Sequence, residues 1–415
     1  MINLKQGVKH MNKIKGSVFF SVFVAMLGLM LLAPITPSLI RELGLKEIHS
    51  GILISTGSIM MAVMAPIWGN ISDAKGRKPV ILIGFIGMSI STLLLTITFY
   101  CGLNHWINGG LLLGLMIAAR SLVGIFIPAI LSSSQAYMGD VTEGKERGIG
   151  MAIISAANGL GIVIGPAIAG IFTLIGLLWP LYFGIVIAVV ALAVTLLLMP
   201  ATKPAIQKGA VKVSPFQSGL RLYLLAALVT MIGIVTIQVV GGFYLQDQLH
   251  LPSDQLARIV SFGLMLTGMA MLISQIVQSK WLKWEPRVMI LLGSLILVAS
   301  MLIFLLTTHL PFYNLAFFVF GLGSGFMMTG FMAGASLSVS NEQQGGVAGL
   351  VAAMQGISAI IAPILSTTLY QANRYSPMVM IVILTVLLGA MMLVRPRGHR
   401  TIDQMNGKET HAGTK

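Results

Sequence analysis

The sequence predicts an all-α integral membrane protein with twelve transmembrane helices in two pseudo-symmetric six-helix bundles. Three observations carry this. The 415-residue chain is 56% hydrophobic with a mean hydropathy of +0.92, too apolar for a soluble domain of this size. Apolar runs of about 20 residues, the length a bilayer requires, recur from one end to the other. Asn158-Gly159 and Gly165-Pro166 also return as Gln355-Gly356 and Ala362-Pro363 at one constant offset, as an internal duplication would place them.

Taken in order, residues 1–16 are polar and basic (Lys5, Lys9, Lys13, Lys15) and read as a tail. No small-residue cleavage site follows the next apolar run, so it is a first span and not a signal peptide. The N-terminal bundle occupies 17–199, with spans near 17–40, 51–71, 80–101, 107–131, 148–172 and 178–199. Residues 200–220 carry Pro, Lys and Gly without a long apolar run and read as a linker. The C-terminal bundle occupies 221–394, with spans near 221–245, 257–279, 288–308, 312–337, 347–369 and 377–394. Residues 395–415 form a basic tail suited to anionic lipid. Arg41, Lys46, Arg258 and Arg374 fall in loops on one side and Arg120 lies inside a span. The other Lys and Arg gather on the side of the N-terminus, which places both termini in the cytoplasm. That topology accounts for the net charge of +14 better than nucleic-acid binding does. The single cysteine, Cys101, excludes an intrachain disulfide and reads as a packing residue.

Three segments stand out. The turn Gly69–Pro79, GNISDAKGRKP, places Asp73, Lys75, Arg77 and Lys78 close together in a chain that is only 9% charged. Gly69 and Gly76 permit close helix approach and a positive-φ turn. A plain basic loop explains the Lys and Arg, but not the spacing of Gly69, Asp73, Gly76 and Arg77. Arg120 opens R-S-L-V-G, ending at Gly124, and is the one charge deep in a span. Such a charge costs about 2.5 kcal/mol or more on insertion, so it must face a cavity or a partner. In GLGIVIGPAIAG, Gly161, Gly165 and Gly170 let helices approach, and Pro166 removes a backbone donor and bends its helix.

These segments resemble motifs A, B and C of the major facilitator superfamily. The whole chain resembles that superfamily's twelve-span drug:proton antiporters, which carry out multidrug efflux. Ala169 replaces one glycine of motif C, and the second copy of motif A, near Lys280–Arg287, is degenerate. The resemblance implies two bundles rocking about a central site by alternating access. It implies gating through Gly69, Asp73, Gly76, Arg77 and Lys78, with Arg77 paired to Asp140 and Asp73 near the start of the eleventh span. These contacts would close the cytoplasmic side. It also implies that Arg120 serves proton coupling or cavity electrostatics, and that transport runs outward.

The acidic residues depart from the pattern of many such exporters. All twelve Asp and Glu fall in loops or at span ends. The proton carrier is therefore open: Asp247, at the end of the seventh span, is the best-placed acid, and it reads equally as a solvated helix-end group. Asn158, Gln238 and Gln355 are amides inside spans that line a substrate cavity or tie helices together. The 27 Met suit an adaptable apolar cavity. An enzyme would need a deep nucleophile–base set, a channel a filter or charged ring, and an ATP-driven pump G-x-x-x-x-G-K-[ST]; the sequence has none of these. The expectation is a monomeric secondary transporter in the inner or plasma membrane. Its partners would be a small-molecule substrate, protons and lipid, with no cofactor or metal. The cargo is drug-like, or else an endogenous metabolite, siderophore or lipid; an anion would fit Arg120.

Overall fold

The computed structural model describes residues 2–142, 144–200, 214–215, 217, 219–281, 284–340 and 343–394. Most of the 200–220 linker and the whole 395–415 tail lie outside these residues. Thirteen helices and no strand occur among the described residues. They are α1 (Ile2–Leu31), α2 (Thr36–Glu42), α3 (Glu47–Lys75), α4 (Arg77–Leu103), α5 (Gly109–Val141), α6 (Gly144–Phe172), α7 (Trp179–Leu198), α8 (Arg221–Leu249), α9 (Ser253–Lys280), α10 (Pro286–Leu306), α11 (Leu310–Leu337), α12 (Gln344–Ala372) and α13 (Ser376–Val394). Among them are 12 apolar helical segments long enough to cross a membrane, with α1 and α2 contributing to the first. Lipid offers no hydrogen bonds, so each run must satisfy its backbone internally, and a helix does this within one segment.

Two details differ from the expectation. Helix α1 starts at Ile2 and runs through the stretch read as a tail. The first span is not continuous: it breaks between Leu31 and Thr36. Pro34 and Pro37 each lack a backbone N–H, which interrupts the helical ladder there.

The packing repeats. In the first half α1 meets α6, α3 meets α5, α4 meets α5 and α4 meets α7. In the second half α8 meets α12, α9 meets α11, α10 meets α11 and α10 meets α13. The halves join crosswise, α3 on α12 and α6 on α9. A matching pair of cations reinforces the repeat. Lys78 Nζ donates to the Leu196 carbonyl at 2.8 Å, and Arg287 Nη2 donates to the Leu393 carbonyl at 2.8 Å. Each satisfies a last-turn carbonyl and complements the negative helix end.

The start of α1 and the end of α13 define the terminal end of the molecule. One apolar core runs along the second half and reaches into the first half at the opposite end, where it joins Leu32, Leu39, Leu53 and Phe99 to Phe243, Tyr244, Phe304 and Tyr313. Toward the terminal end the first half has a separate core of its own, including Val18, Phe85, Ile130, Tyr137 and Met138.

Candidate functional site

At the terminal end the turn between α3 and α4 is a single residue. Gly76 has φ 89° and ψ 155°, and it ends α3 and starts α4 at once. A residue with a Cβ is strained there. Gly76→Ala is therefore expected to destabilise the protein by about 1–2 kcal/mol, read as a lower melting temperature of the purified protein. The tight turn delivers Arg77 into the core with its side chain 2% exposed. Its Nε donates to Asp140 Oδ2 at 2.8 Å and its Nη1 to Ser72 Oγ at 2.7 Å, and it also pairs with Asp73.

The expected pair of Arg77 with Asp140 is present, and the other contacts expected of this segment are not made in this arrangement. Arg77 and Asp140 stand at the adjoining ends of α4 and α5, within one half, so their pair cannot itself close one half against the other. Asp73 pairs with Arg77 in its own hairpin, and among the described residues it has no hydrogen bond or ion pair to the start of α12, the eleventh span. Gly69 is not at a close approach: a Cβ there would meet nothing within 4 Å. Of the adjoining acids and bases, Glu143 lies outside the described residues, while Glu146 pairs with Lys15 at 2.6 Å.

At the opposite end Asp247 is not a free acid. Arg41 grips it with two hydrogen bonds, Nη1 to Oδ1 at 2.5 Å and Nη2 to Oδ2 at 2.9 Å. The Tyr370 hydroxyl donates to Oδ2 as well. Arg41 Nη2 reaches Glu47 at 3.0 Å, and the guanidinium lies over the Phe243 ring, 5.4 Å from its centroid. The cluster thus joins α2 and α3 to α8 and α12. Nearby, Ser38 Oγ donates to the Ser253 carbonyl at 2.9 Å, and Ser55 Oγ to the Ile360 carbonyl at 2.6 Å. Gly51 has no room for a side chain: a Cβ would lie 2.6 Å from the Pro363 carbonyl oxygen. The sequence analysis missed Arg41, Glu47 and Tyr370. One signal was available: Arg41 and Asp247 are opposite charges at the far ends of the first span of each half.

In the middle, α3 and α5 cross at Gly57 and Gly124. A Cβ on Gly124 would lie 3.1 Å from the Gly57 Cα, and one on Gly57 would lie 2.9 Å from Arg120 Nε. Arg120 is 6% exposed, and its Nε is buried without a hydrogen-bond partner. On α6, Gly161 and Gly165 pack on α1: a Cβ at either would sit 2.7 Å from the Cβ of Met26 or Met30. Gly170 faces α9 across the halves, where a Cβ would lie 2.8 Å from that of Ser261. Pro166 lies inside α6 between these contacts. None of Asn158, Gln238 and Gln355 makes an interhelical hydrogen bond among the described residues, and Asn158 Oδ1 is buried and unpaired. All three are half-buried within their spans.

Residues 18–363, and again 283–411, match the profile of the Major Facilitator Superfamily. The chain is 25% identical over 365 residues to multidrug resistance protein 1 of Bacillus subtilis, covering 86% of this chain and 90% of that protein. It is 20% identical over 398 residues to the quinolone resistance protein NorA of Staphylococcus aureus, covering 94% and 98%. Its fold is similar to that of a point mutant of the nucleoside transporter NupG, with TM-score 0.73 and 12% identity over 92% of this chain and 99% of that one.

Proposed function

The chain belongs to the Major Facilitator Superfamily and is a transporter, not an enzyme; from that premise we propose that it exports a small amphipathic, drug-like molecule by alternating access, in exchange for protons. The terminal end, where Lys and Arg concentrate, is then the cytoplasmic one, and the membrane is the inner or plasma membrane. One observation carries the reading. The halves share a core and polar ties at the opposite end, while the first half keeps a separate core toward the terminal end. In this reading one access is closed and the other open. Residues 17–199 and 221–394 are the two bodies that rock, and a single chain suffices as the transport unit. Similarity to multidrug resistance protein 1 and to the quinolone resistance protein supports an amphipathic cargo.

In this reading Asp247 couples protons to the outer gate. Its carboxylate holds Arg41 and Tyr370 across the halves while ionised. Protonation from outside weakens its hold on the guanidinium and frees the gate to open. Arg77, Asp73 and Asp140 keep the α3–α4 turn rigid at the cytoplasmic end. Gly69 is free to meet the other half when that end closes. Asn158, Gln238 and Gln355 face the cargo.

Asp247→Asn is expected to weaken outer closure by about 1 kcal/mol, since the pair is partly exposed. That is about a fivefold shift of the population toward the outward-open form, visible as longer distances between spin labels flanking Arg41 and Asp247. Exchanging the two charges, Arg41→Asp with Asp247→Arg, restores the short distance. The functional test uses purified protein in liposomes loaded with a pH-sensitive dye. Under a proton gradient, lipophilic cations, neutral drugs and siderophore-like anions are added in turn. A transported compound is expected to trigger proton flux that Asp247→Asn removes. Labelled compound crossing with no proton movement refutes the coupling.

A further inference from the structure

We propose that the groove between the end of α12 and the start of α13 binds an anionic phospholipid, with one acyl chain in the groove and the phosphate on Arg374. The groove has a volume of about 460 Å³, within the range of ligand sites, roughly 300–1,000 Å³. Its lining is graded. Asn373, Tyr375 and Ser376 form the mouth, at the end of the molecule opposite the termini, and Leu369, Val379, Ile383 and Leu384 line the shaft below it. From Ser376 to Leu384 is about 12 Å along α13, against about 15 Å for the hydrocarbon of one leaflet. Helix α13 is one of the apolar segments long enough to span a membrane, and Val379 and Ile383 are exposed on successive turns of it. The groove therefore opens sideways into the bilayer. A polar mouth over an apolar shaft, one leaflet deep, fits a molecule with a head and a tail. A lone ion would leave the shaft empty, and a plain hydrocarbon would leave the mouth unmatched.

Arg374 supplies the charge. Its guanidinium lies over the Tyr375 ring, 4.9 Å from the centroid, which holds it at the mouth. The side chain is exposed and makes no ion pair among the described residues, whereas Arg41 at the same end is committed to Asp247 and Glu47. No residue lining the groove is acidic. Asn373 Oδ1 accepts the Tyr375 backbone N–H at 2.9 Å, which leaves its amide Nδ2 to donate. A phosphate diester matches this set: its two non-bridging oxygens accept from the planar guanidinium fork, and the amide adds a further donor. A choline headgroup would bring a second cation beside Arg374, and a glycerol headgroup brings none, so the lipid that fits is the anionic one.

The test uses the full chain in nanodiscs of phosphatidylcholine with a small share of phosphatidylglycerol carrying a diazirine at the end of one acyl chain. Irradiation links the probe to whatever its tail touches, and peptide mass spectrometry locates the adduct. Adducts are expected to concentrate on residues 379–384. Arg374→Gln lowers them about fivefold, the loss of one cation beside an anionic headgroup. Val379→Trp fills the groove and removes them, while Val386→Trp, on the same exposed side of α13 beyond the groove, leaves them unchanged. Arg374→Gln alters an exposed side chain and carries the test even if Val379→Trp melts early. Adducts spread evenly over the lipid-facing helices overturn the proposal, and so do adducts that Arg374→Gln does not reduce. A diazirine phosphatidylcholine that labels the groove as strongly overturns the anionic headgroup. Unlabelled phosphatidylglycerol is expected to displace the probe. Displacement by glycerol phosphate, which has a head and no tail, would make this a site for a free phosphate and overturns the lipid.

Discussion

Arg77→Ala is expected to destabilise the protein by about 3–5 kcal/mol, the largest loss from any single change considered for this molecule. Removing the guanidinium leaves the Asp140 carboxylate, 12% exposed, without its cation in a nearly dry site. Asp73, 38% exposed, stays hydrated and adds little. Arg77→Lys keeps the charge and loses the fork, and so falls between. Replacing both partners, Arg77→Met with Asp140→Leu, recovers most of the stability, because two matched apolar side chains carry no desolvation penalty. Thermal unfolding in detergent checks the series. An Arg77→Ala protein that melts with the parent would show that the buried pair contributes nothing.

The second large effect is expected at Gly124. The α3–α5 crossing places backbone against backbone: a Cβ on Gly124 would lie 3.0 Å from the Gly57 carbonyl carbon. A flexible side chain could yield, but a helix backbone cannot. Gly124→Leu must force the two helices apart, at a cost of about 3 kcal/mol, the upper part of the overpacking range. It also moves Arg120, which leans on Gly57, and α3, which seals against α12. Transport should therefore fall further than stability alone explains. Gly69 is the control. A Cβ there meets open space, and alanine suits a helix better than glycine, so Gly69→Ala should gain up to about 1 kcal/mol. Comparable melting temperatures for Gly124→Leu and the parent would rule out the tight crossing.

The spans were legible because lipid imposes one rule on the whole segment, and the rule is compositional. The break in the first span was written in Pro34 and Pro37, although hydropathy averages across it. Arg77 and Asp140 could be paired because the α3–α4 turn and the end of α5 stay together within one half. Arg41 and Asp247 offered only their opposite charges at matching span ends. They are 206 positions apart and meet only where the halves touch, which no local pattern encodes. The same holds for Gly69. Whether a glycine is filled against a neighbour depends on which end of the molecule is closed, and a sequence serves both arrangements. The amides posed a choice that composition leaves undecided; among the described residues they have no interhelical bond.

For a carrier that exchanges its cargo for protons, the sign of the cargo's charge decides which part of the cell's stored energy it can use. If one monovalent anion leaves as one proton enters, both movements carry positive charge inward. Each is worth about 2.3 kcal/mol per 100 mV of membrane potential, so the pair gains about twice that. A lipophilic cation exchanged one for one moves no net charge, and only the pH difference drives it. Were the cargo an anion, the membrane potential alone would keep such an exchange running in cells whose pH gradient has collapsed.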